Sequence, residues 1–253
     1  MPDLILVTGS TDGLGLAAAR QLVEDGNRVI LHARNTDRSA RATAALPEAE
    51  SVVVADFTSL ADVRRMADVL EGERLDAVIH NAGVGYREPR RIETVDGHSH
   101  VLQVNVLAPY LLSTLLDRPA RTIWLSSGLH RSGDTRLDDV DWKSRPWDGF
   151  QAYSDSKLFD ATLSAAMARR FPDAISNALE PGWVATKMGG VGAPDDLALG
   201  HVTQVWLAEA TDPAARVSGE YFFHRATAET HEAVYDTRFQ DELCSVLDDL
   251  LAR

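Results

Sequence analysis

The chain has 253 residues, 45% of them apolar and 25% charged, which fits one sizeable soluble α/β domain. Its formal charge of −13 argues against nucleic acid and anionic membrane as partners, because both need a positive surface. The single cysteine, Cys244, excludes an internal disulfide and points to a reducing cytoplasm, and no apolar run approaches the roughly 20 residues of a bilayer span.

Met1–Val7 has no basic leader and runs directly into a strand pattern, so no signal peptide is expected. Leu4–Thr8 (LILVT) is a short apolar run, the mark of a strand buried on both faces. It leads into Thr8-Gly9-Ser10-Thr11-Asp12-Gly13-Leu14-Gly15, and apolar residues at Leu14, Ala17, Ala18 and Leu22 then mark a helix. Strand, glycine turn and helix in that order suit a pyrophosphate resting on a helix N-terminus. Gly9 permits the tight turn, Gly13 lets a phosphate approach, and Gly15 lets helix and strand pack closely. Thr11, Asp12 and Leu14 join them as candidate cofactor contacts.

Arg28–His32 is the second predicted strand and ends in Ala33-Arg34-Asn35. An acid here would hold the ribose 2′-hydroxyl of NAD; none is present, and Arg34 favours the 2′-phosphate of NADP(H) over NAD(H). Asp12 nearby weakens that charge argument. Ser51–Ala55 is the third strand, ending in Asp56-Phe57, an acid and a ring placed to meet an adenine. Capping of the following helix is an equal reading for Asp56. Helix Leu60–Leu70 and strand Leu75–Ile79 follow, then His80-Asn81-Ala82-Gly83-Val84-Gly85, where two glycines let the backbone pass near a flat ligand. Asn81 itself reads first as a brace between strands.

Thr94–Ser113 reads as one long helix after a turn. His98 and His100 are two apart, so they point to different faces, and with no third ligand in view no metal is expected. Asn105 lies among apolar neighbours and needs hydrogen-bond partners. Strand Arg121–Leu125 reaches Ser126-Ser127-Gly128. The irregular stretch Leu129–Phe150 carries Trp142 and Trp147 and is either an ordered wall beside a site or simple packing.

The next helix, running to about Arg170, carries Tyr153 and Lys157 four apart, hence on one face. A fixed ammonium favours the phenolate, so such a tyrosine can exchange a proton with an alcohol or carbonyl oxygen. Only three lysines stand against 22 arginines, so a chance Tyr-x-x-x-Lys is expected in about one such chain in twenty. Strand Ala174–Leu179 ends in Glu180-Pro181-Gly182-Trp183-Val184-Ala185-Thr186-Lys187-Met188, and the glycine-rich stretch 189–194 is a candidate lid. Helix Asp195–Ala210, strand Tyr221–His224 and helix Phe239–Leu251 close the chain. The alternation predicts one α/β domain over residues 1–253. Its core would be a single doubly wound, Rossmann-like parallel sheet of about seven strands with helices on both faces.

These segments, in this order, resemble the short-chain dehydrogenases/reductases over nearly the whole length. The resemblance rests on TGSTDGLG, Asp56, NAG at Asn81–Gly83, Asn105, the serine pair, Tyr153-x-x-x-Lys157, and Pro181-Gly182 with Thr186 beyond. Within that family, TVDG…QVNVLAPYLL and AYSDSKL are similar to the retinol-dehydrogenase-like branch, although no membrane anchor is expected here. The resemblance implies a tetrad of Asn105, Ser127, Tyr153 and Lys157. Tyr153 would be the acid/base; Lys157 would lower its pKa and hold the nicotinamide ribose. Ser127, taken over Ser126, would polarise the substrate oxygen, and Asn105 would anchor a relay water. Pro181, Gly182, Val184 and Thr186 would border the nicotinamide. Tyr86, Trp142, Phe150, Trp183 and Met188 would wall a pocket for a lipophilic small-molecule alcohol or carbonyl. A homodimer or homotetramer built on the Tyr153 helix is also implied. A catalytically silent dinucleotide sensor, or an isomerase or lyase using bound cofactor transiently, are the alternatives on the same scaffold.

Overall fold

The structure is a computed structural model that describes residues 2–190 and 192–252. Met1 of the opening stretch and Val191 of the candidate lid lie outside the described residues. Eight strands form one sheet: β1 (Leu4–Val7), β2 (Arg28–Ala33), β3 (Ser51–Val54), β4 (Ala77–His80), β5 (Arg121–Leu125), β6 (Ile175–Glu180), β7 (Tyr221–Phe223) and β8 (Ala226–Thr227). The spatial order is β3-β2-β1-β4-β5-β6-β7-β8. The first seven strands are parallel, and β8 adds an antiparallel edge through Phe222 opposite Thr227. His224 and Arg225 make the connecting turn with φ of 49° and 64°, both left-handed. Two positive φ values in a two-residue turn match strand twist. With no glycine or asparagine in it, this turn has no local sequence signal.

Helices are α1 (Gly13–Glu24), α2 (Thr36–Ala45), α3 (Leu60–Val69), α4 (His100–Leu102), α5 (Ala108–Leu115), α6 (Gly149–Arg170), α7 (Val202–Glu209) and α8 (Thr237–Leu251). The strand period of two divides the core. Ile5 and Val7 face α1 and α7 with Ala18, Leu22 and Val205. Leu4 and Leu6 face the other way, with Val63 and Met66 of α3 and Leu111 and Leu112 of α5. Trp124 and Tyr221 continue that second layer beneath α6 and α8, with Leu158, Phe159, Phe239, Leu243 and Leu247. Truncating a buried core residue such as Leu158 costs about 2–5 kcal/mol.

Two predicted helices are shorter than their patterns. Residues 94–99 form a turn, with Glu93 bridged to Ser99, and the helix starts only at His100, where the Ser99 side chain accepts from Leu102 N–H. Gln103–Leu107 is then wound as a π-helix. Pro109 has no N–H for the Asn105 carbonyl four residues back, so ordinary α-winding could not close there. The predicted 195–210 helix is regular only over α7, with a single turn at Leu197–Leu199 before it. Between β1 and β4 the chain leaves the sheet in opposite directions, which opens a crevice at the strands' carboxyl ends.

Candidate active site

A cleft of about 830 Å³ lies over that crevice. It collects Gly9, Thr11, Asp12, Gly13, Leu14 and Gly15 from the first turn, Arg34, Asp56 and Phe57 from the next two strands, and Asn81, Ala82 and Gly83 after β4. Ser127, Tyr153 and Lys157 line its far end with Pro181, Gly182, Val184 and Thr186. Of the candidate catalytic and cofactor residues, Asn105 alone is not on its surface.

The glycine turn is shaped by close approach. Gly9 has φ +64°, and a side-chain carbon there would fall 2.8 Å from the Ala82 Cα. On Gly15 it would strike Asn81 Nδ2 and lie 2.6 Å from the Gly9 carbonyl oxygen. Asn81 is the brace: its Nδ2 donates to the Thr8 carbonyl at 2.8 Å, and its N–H donates to Thr8 Oγ1 at 3.0 Å. Asp12 occupies the N-cap position of α1 but makes no capping bond. Its carboxylate instead meets Lys187 Nζ at 2.6 Å and the Arg38 guanidinium at 3.2 Å. The Lys187 hydrogen bond leads in holding the Asp12 carboxyl below its ordinary value, with Arg38 assisting. The first-turn N–H groups of α1 are therefore left free of a side-chain cap, with two cations beside them. These features fit a dinucleotide: a crowded backbone turn, a helix N-terminus and flanking positive charge.

Arg34 is exposed at the end of β2. Arg38, one turn into α2, also lines the cleft and donates to Thr11 Oγ1 at 3.2 Å. Sequence reading missed it; Arg34 precedes the N-cap of α2, so no helical spacing links the two. Asp56 does not cap α3, which Ser59 caps. It accepts from the Thr58 N–H and hydroxyl at 2.9 and 2.8 Å. Phe57 stacks on His32 at 4.4 Å.

At the far end, the Tyr153 phenol lies 3.8 Å from Met188 Sδ, and its ring meets the Tyr86 edge at 5.7 Å. Burial pushes its pKa up, outweighing the opposing effects of the Lys157 charge and the Ser127 hydroxyl. Lys157 acts in the expected, lowering direction, but desolvation of the phenolate is the larger effect and the net shift is upward. Ser126 points inward and donates to the Lys157 carbonyl at 2.8 Å, whereas Ser127 is the serine that bears on the phenol. Asn105 uses its whole amide internally: Oδ1 accepts from Val84 N–H at 2.8 Å, and Nδ2 donates to Val84 O and Ser156 Oγ at 3.1 and 3.0 Å. Its main-chain carbonyl meets Pro109 four residues on, which has no N–H to offer it.

Tyr86, Phe150, Trp183 and Met188 wall the cleft as expected. Trp142 does not; it is buried behind, packed with Val101 and Ala152 against Tyr153 and covered by the Arg145 guanidinium at 3.5 Å. The 129–150 segment is ordered through Asp141. That carboxylate accepts from Ser99 N–H at 2.6 Å and from Arg91 at 3.0 Å. Burial opposes its ionisation, but bonds from His98, Ser99 and Lys143 and the Arg91 charge hold the carboxyl well below the usual range. His98 meets Asp141 and His100 meets Glu88, so the two histidines serve different carboxylates. In the candidate lid, Gly190 N–H bonds back to Thr186 O at 2.9 Å, and Trp183 Nε1 donates to Gly189 O at 3.0 Å.

A parallel sheet with a dinucleotide cleft and a tyrosine–lysine–serine centre defines an NAD(P)-dependent oxidoreductase of the α/β class. Residues 3–119 match the short chain dehydrogenase family. An uncharacterized oxidoreductase of Emericella nidulans is 40% identical over 96% of this chain and 94% of its own. Human retinol dehydrogenase 13 is 32% identical over 73% of this chain and 60% of its own. Among solved structures, an uncharacterized protein from Mycobacterium paratuberculosis superposes with a TM-score of 0.84 at 26% identity, over 100% of this chain and 96% of that one. The chain belongs to the short-chain dehydrogenase family, and hydride-transfer oxidoreduction is its chemistry.

Proposed function

We propose that residues 1–253 form one catalytic unit that interconverts a lipophilic, ring-bearing ketone and its alcohol with NADP(H). The observation that carries this reading is the Tyr153 phenol set at the base of a cleft walled by Tyr86, Phe150, Trp183 and Met188. Bound NADP(H) supplies or accepts the hydride. Tyr153 gives its proton to the substrate oxygen in reduction and takes it back in oxidation. Ser127 donates to the same oxygen as negative charge develops there. Lys157 would hold the nicotinamide ribose with its remaining donor, and the Asn105 carbonyl would anchor a water on the proton path. The glycine turn and the α1 N-terminus take the pyrophosphate, and Arg34 and Arg38 take the 2′-phosphate, because the end of β2 carries no acid to bind a 2′-hydroxyl.

Exposed Phe150 and Trp183, 47% and 54% accessible, stand at the rim. Rigid aromatic walls bury a flat substrate at little entropic cost. Purified protein should oxidise NADPH in the presence of aryl ketones such as acetophenone and ignore small sugars. Turnover of sugars alone, or a preference for NADH, would overturn the reading.

A further inference from the structure

Lys157 is engaged in a way that neither the resemblance nor the tetrad anticipates. An ammonium has three donors. In this site one goes to the Leu125 carbonyl at the end of β5, at 2.8 Å, and another to Asp160 Oδ2, at 2.7 Å. Asp160 stands one turn along α6, and its side chain and that of Lys157 are 4% and 7% exposed. The second Asp160 oxygen is buried without a partner among the described residues. Lys157 Nζ lies 5.8 Å from the centre of the Tyr153 ring, so the carboxylate is its nearer charge by far.

We propose that Asp160 is a positioning residue: it docks Lys157 against the end of β5, pairs its charge, and thereby leaves Tyr153 a proton donor, which biases the site toward carbonyl reduction. The inference rests on the acid/base reading of Tyr153 above. In the favoured direction the carbonyl carbon accepts a hydride from the reduced nicotinamide, and its oxygen takes the Tyr153 proton. The phenolate left behind is reprotonated from solvent. One ketone, one reduced cofactor and one proton thus give one alcohol and the oxidised cofactor.

The groups facing the phenol are few. Lys157 and Asp160 come from α6 itself, Ser127 from the end of β5, Tyr86 from the segment after β4, and Tyr221, whose ionisation is opposed by that of Tyr153, from β7. Lys157 and Ser127 favour the phenolate, while Asp160 and Tyr86 oppose it, in the same direction as burial. Asp160 is pushed up to about 6 by its burial, against the pull of Lys157, so the ion pair is intact at neutral pH. An ammonium so paired acts on a third group as a dipole, whose influence falls off faster with distance than that of a bare charge.

The test is Asp160→Asn, which keeps a hydrogen-bond acceptor for Lys157 and removes the charge. Tyrosinate absorbance is titrated in the cofactor-free protein, with Asp160→Asn/Tyr153→Phe as the subtraction control. One tyrosine should ionise at least one pH unit lower in D160N than in the wild type and be missing from the double variant. The alkaline rise of 1-phenylethanol oxidation should move down by the same amount. At pH 7 the ratio of the saturated rates (kcat) of 1-phenylethanol oxidation and acetophenone reduction should then rise about tenfold, since one pH unit is a factor of ten. An unchanged titration and an unchanged pH profile would overturn the proposal, as would a shift to higher pH. If circular dichroism shows D160N unfolded, Asp160→Ser takes its place: the same downward shift supports the proposal, and an unchanged or upward one overturns it. Full activity in Tyr153→Phe would instead sink the acid/base reading itself, whatever D160N does.

Discussion

His32 accepts a hydrogen bond from the Gly9 N–H through Nδ1 at 3.0 Å and reaches the Ala55 carbonyl through Nε2 at 2.9 Å. The first contact needs a bare nitrogen and the second an N–H, so the ring is neutral in one tautomer. It ties the glycine turn to the ends of β2 and β3 in one step. Complete burial lowers its pKa to about 4, chiefly by desolvation.

That link sets a pH dependence. A histidine whose folded pKa lies below its unfolded value adds stability that is full above about 6.5 and is lost as pH falls toward the folded value. For His32 alone the loss by pH 4 is about 3 kcal/mol. His80 and His130, lowered to about 3 and about 4, act in the same direction. Asp160 and Glu209, raised to about 6 and about 7, act oppositely, but the three histidines outweigh them. Urea midpoints should drop steadily from pH 7.5 to pH 4.5, and the slope should lessen in His32→Gln. A flat profile would show that the ring is not held neutral.

Tyr153→Phe removes only the phenolic oxygen from a ring packed against Tyr86, Val101 and Trp142. Turnover should fall by about 10²–10⁴, the usual contribution of a general acid. NADPH affinity, read by fluorescence, should change less than threefold. Retained turnover would remove Tyr153 from the chemistry.

Much of the fold is legible in the sequence because parallel strands buried on both faces show as apolar runs. The LILV and AVIH runs mark β1 and β4 to within one or two residues of their observed bounds. What stays hidden depends on contacts through space. The α2 sequence TDRSARATAA buries only Ala42, so it carries no strong apolar stripe. His32 and Arg38 acquire their roles from partners that adjoin them only after folding, whereas Asp160 stands at i+3 from Lys157 and its pairing is open to a helical reading of the sequence. The π-helix at Asn105 leaves one local trace, Pro109, which the reading of one long helix over 94–113 does not use. Trp142 is expected in the pocket wall and lies behind it, because an aromatic residue type signals burial and not which side of Tyr153 it supports.

The face of α6 expected to pair between subunits is covered from within the chain. Residues 152–167 of that helix are buried, and α8 lies along it with Phe239, Leu243 and Leu247 in the same core. Tyr110 donates to Asp248 at 2.8 Å and Arg169 to Gln240 at 2.9 Å, pinning α8 to α5 and α6. Pairing there would first expose that apolar seam at about 25 cal/mol per Å². Light scattering should therefore report a monomer. A dimer whose hydrogen-exchange protection maps to α6 would contradict this.

Arg34 and Arg38 share the mouth of the cleft, but they stand differently. Arg34 is exposed at the end of β2, while Arg38 is already held by Thr11 and Asp12 at 3.2 Å. A 2′-phosphate carries up to two charges and several acceptor oxygens, so on the proposed reading it would compete with Asp12 for Arg38 as well as engage Arg34. Each charge-assisted contact is worth roughly 1.5–3 kcal/mol. Arg34→Ala and Arg38→Ala should each weaken NADPH by about tenfold to a hundredfold and leave NADH within about threefold. Asp12→Asn frees Arg38 and should strengthen NADPH selectively. Equal losses for both cofactors in the arginine variants would mean that neither side chain reads the phosphate. The cleft would then select its cofactor by the glycine turn alone.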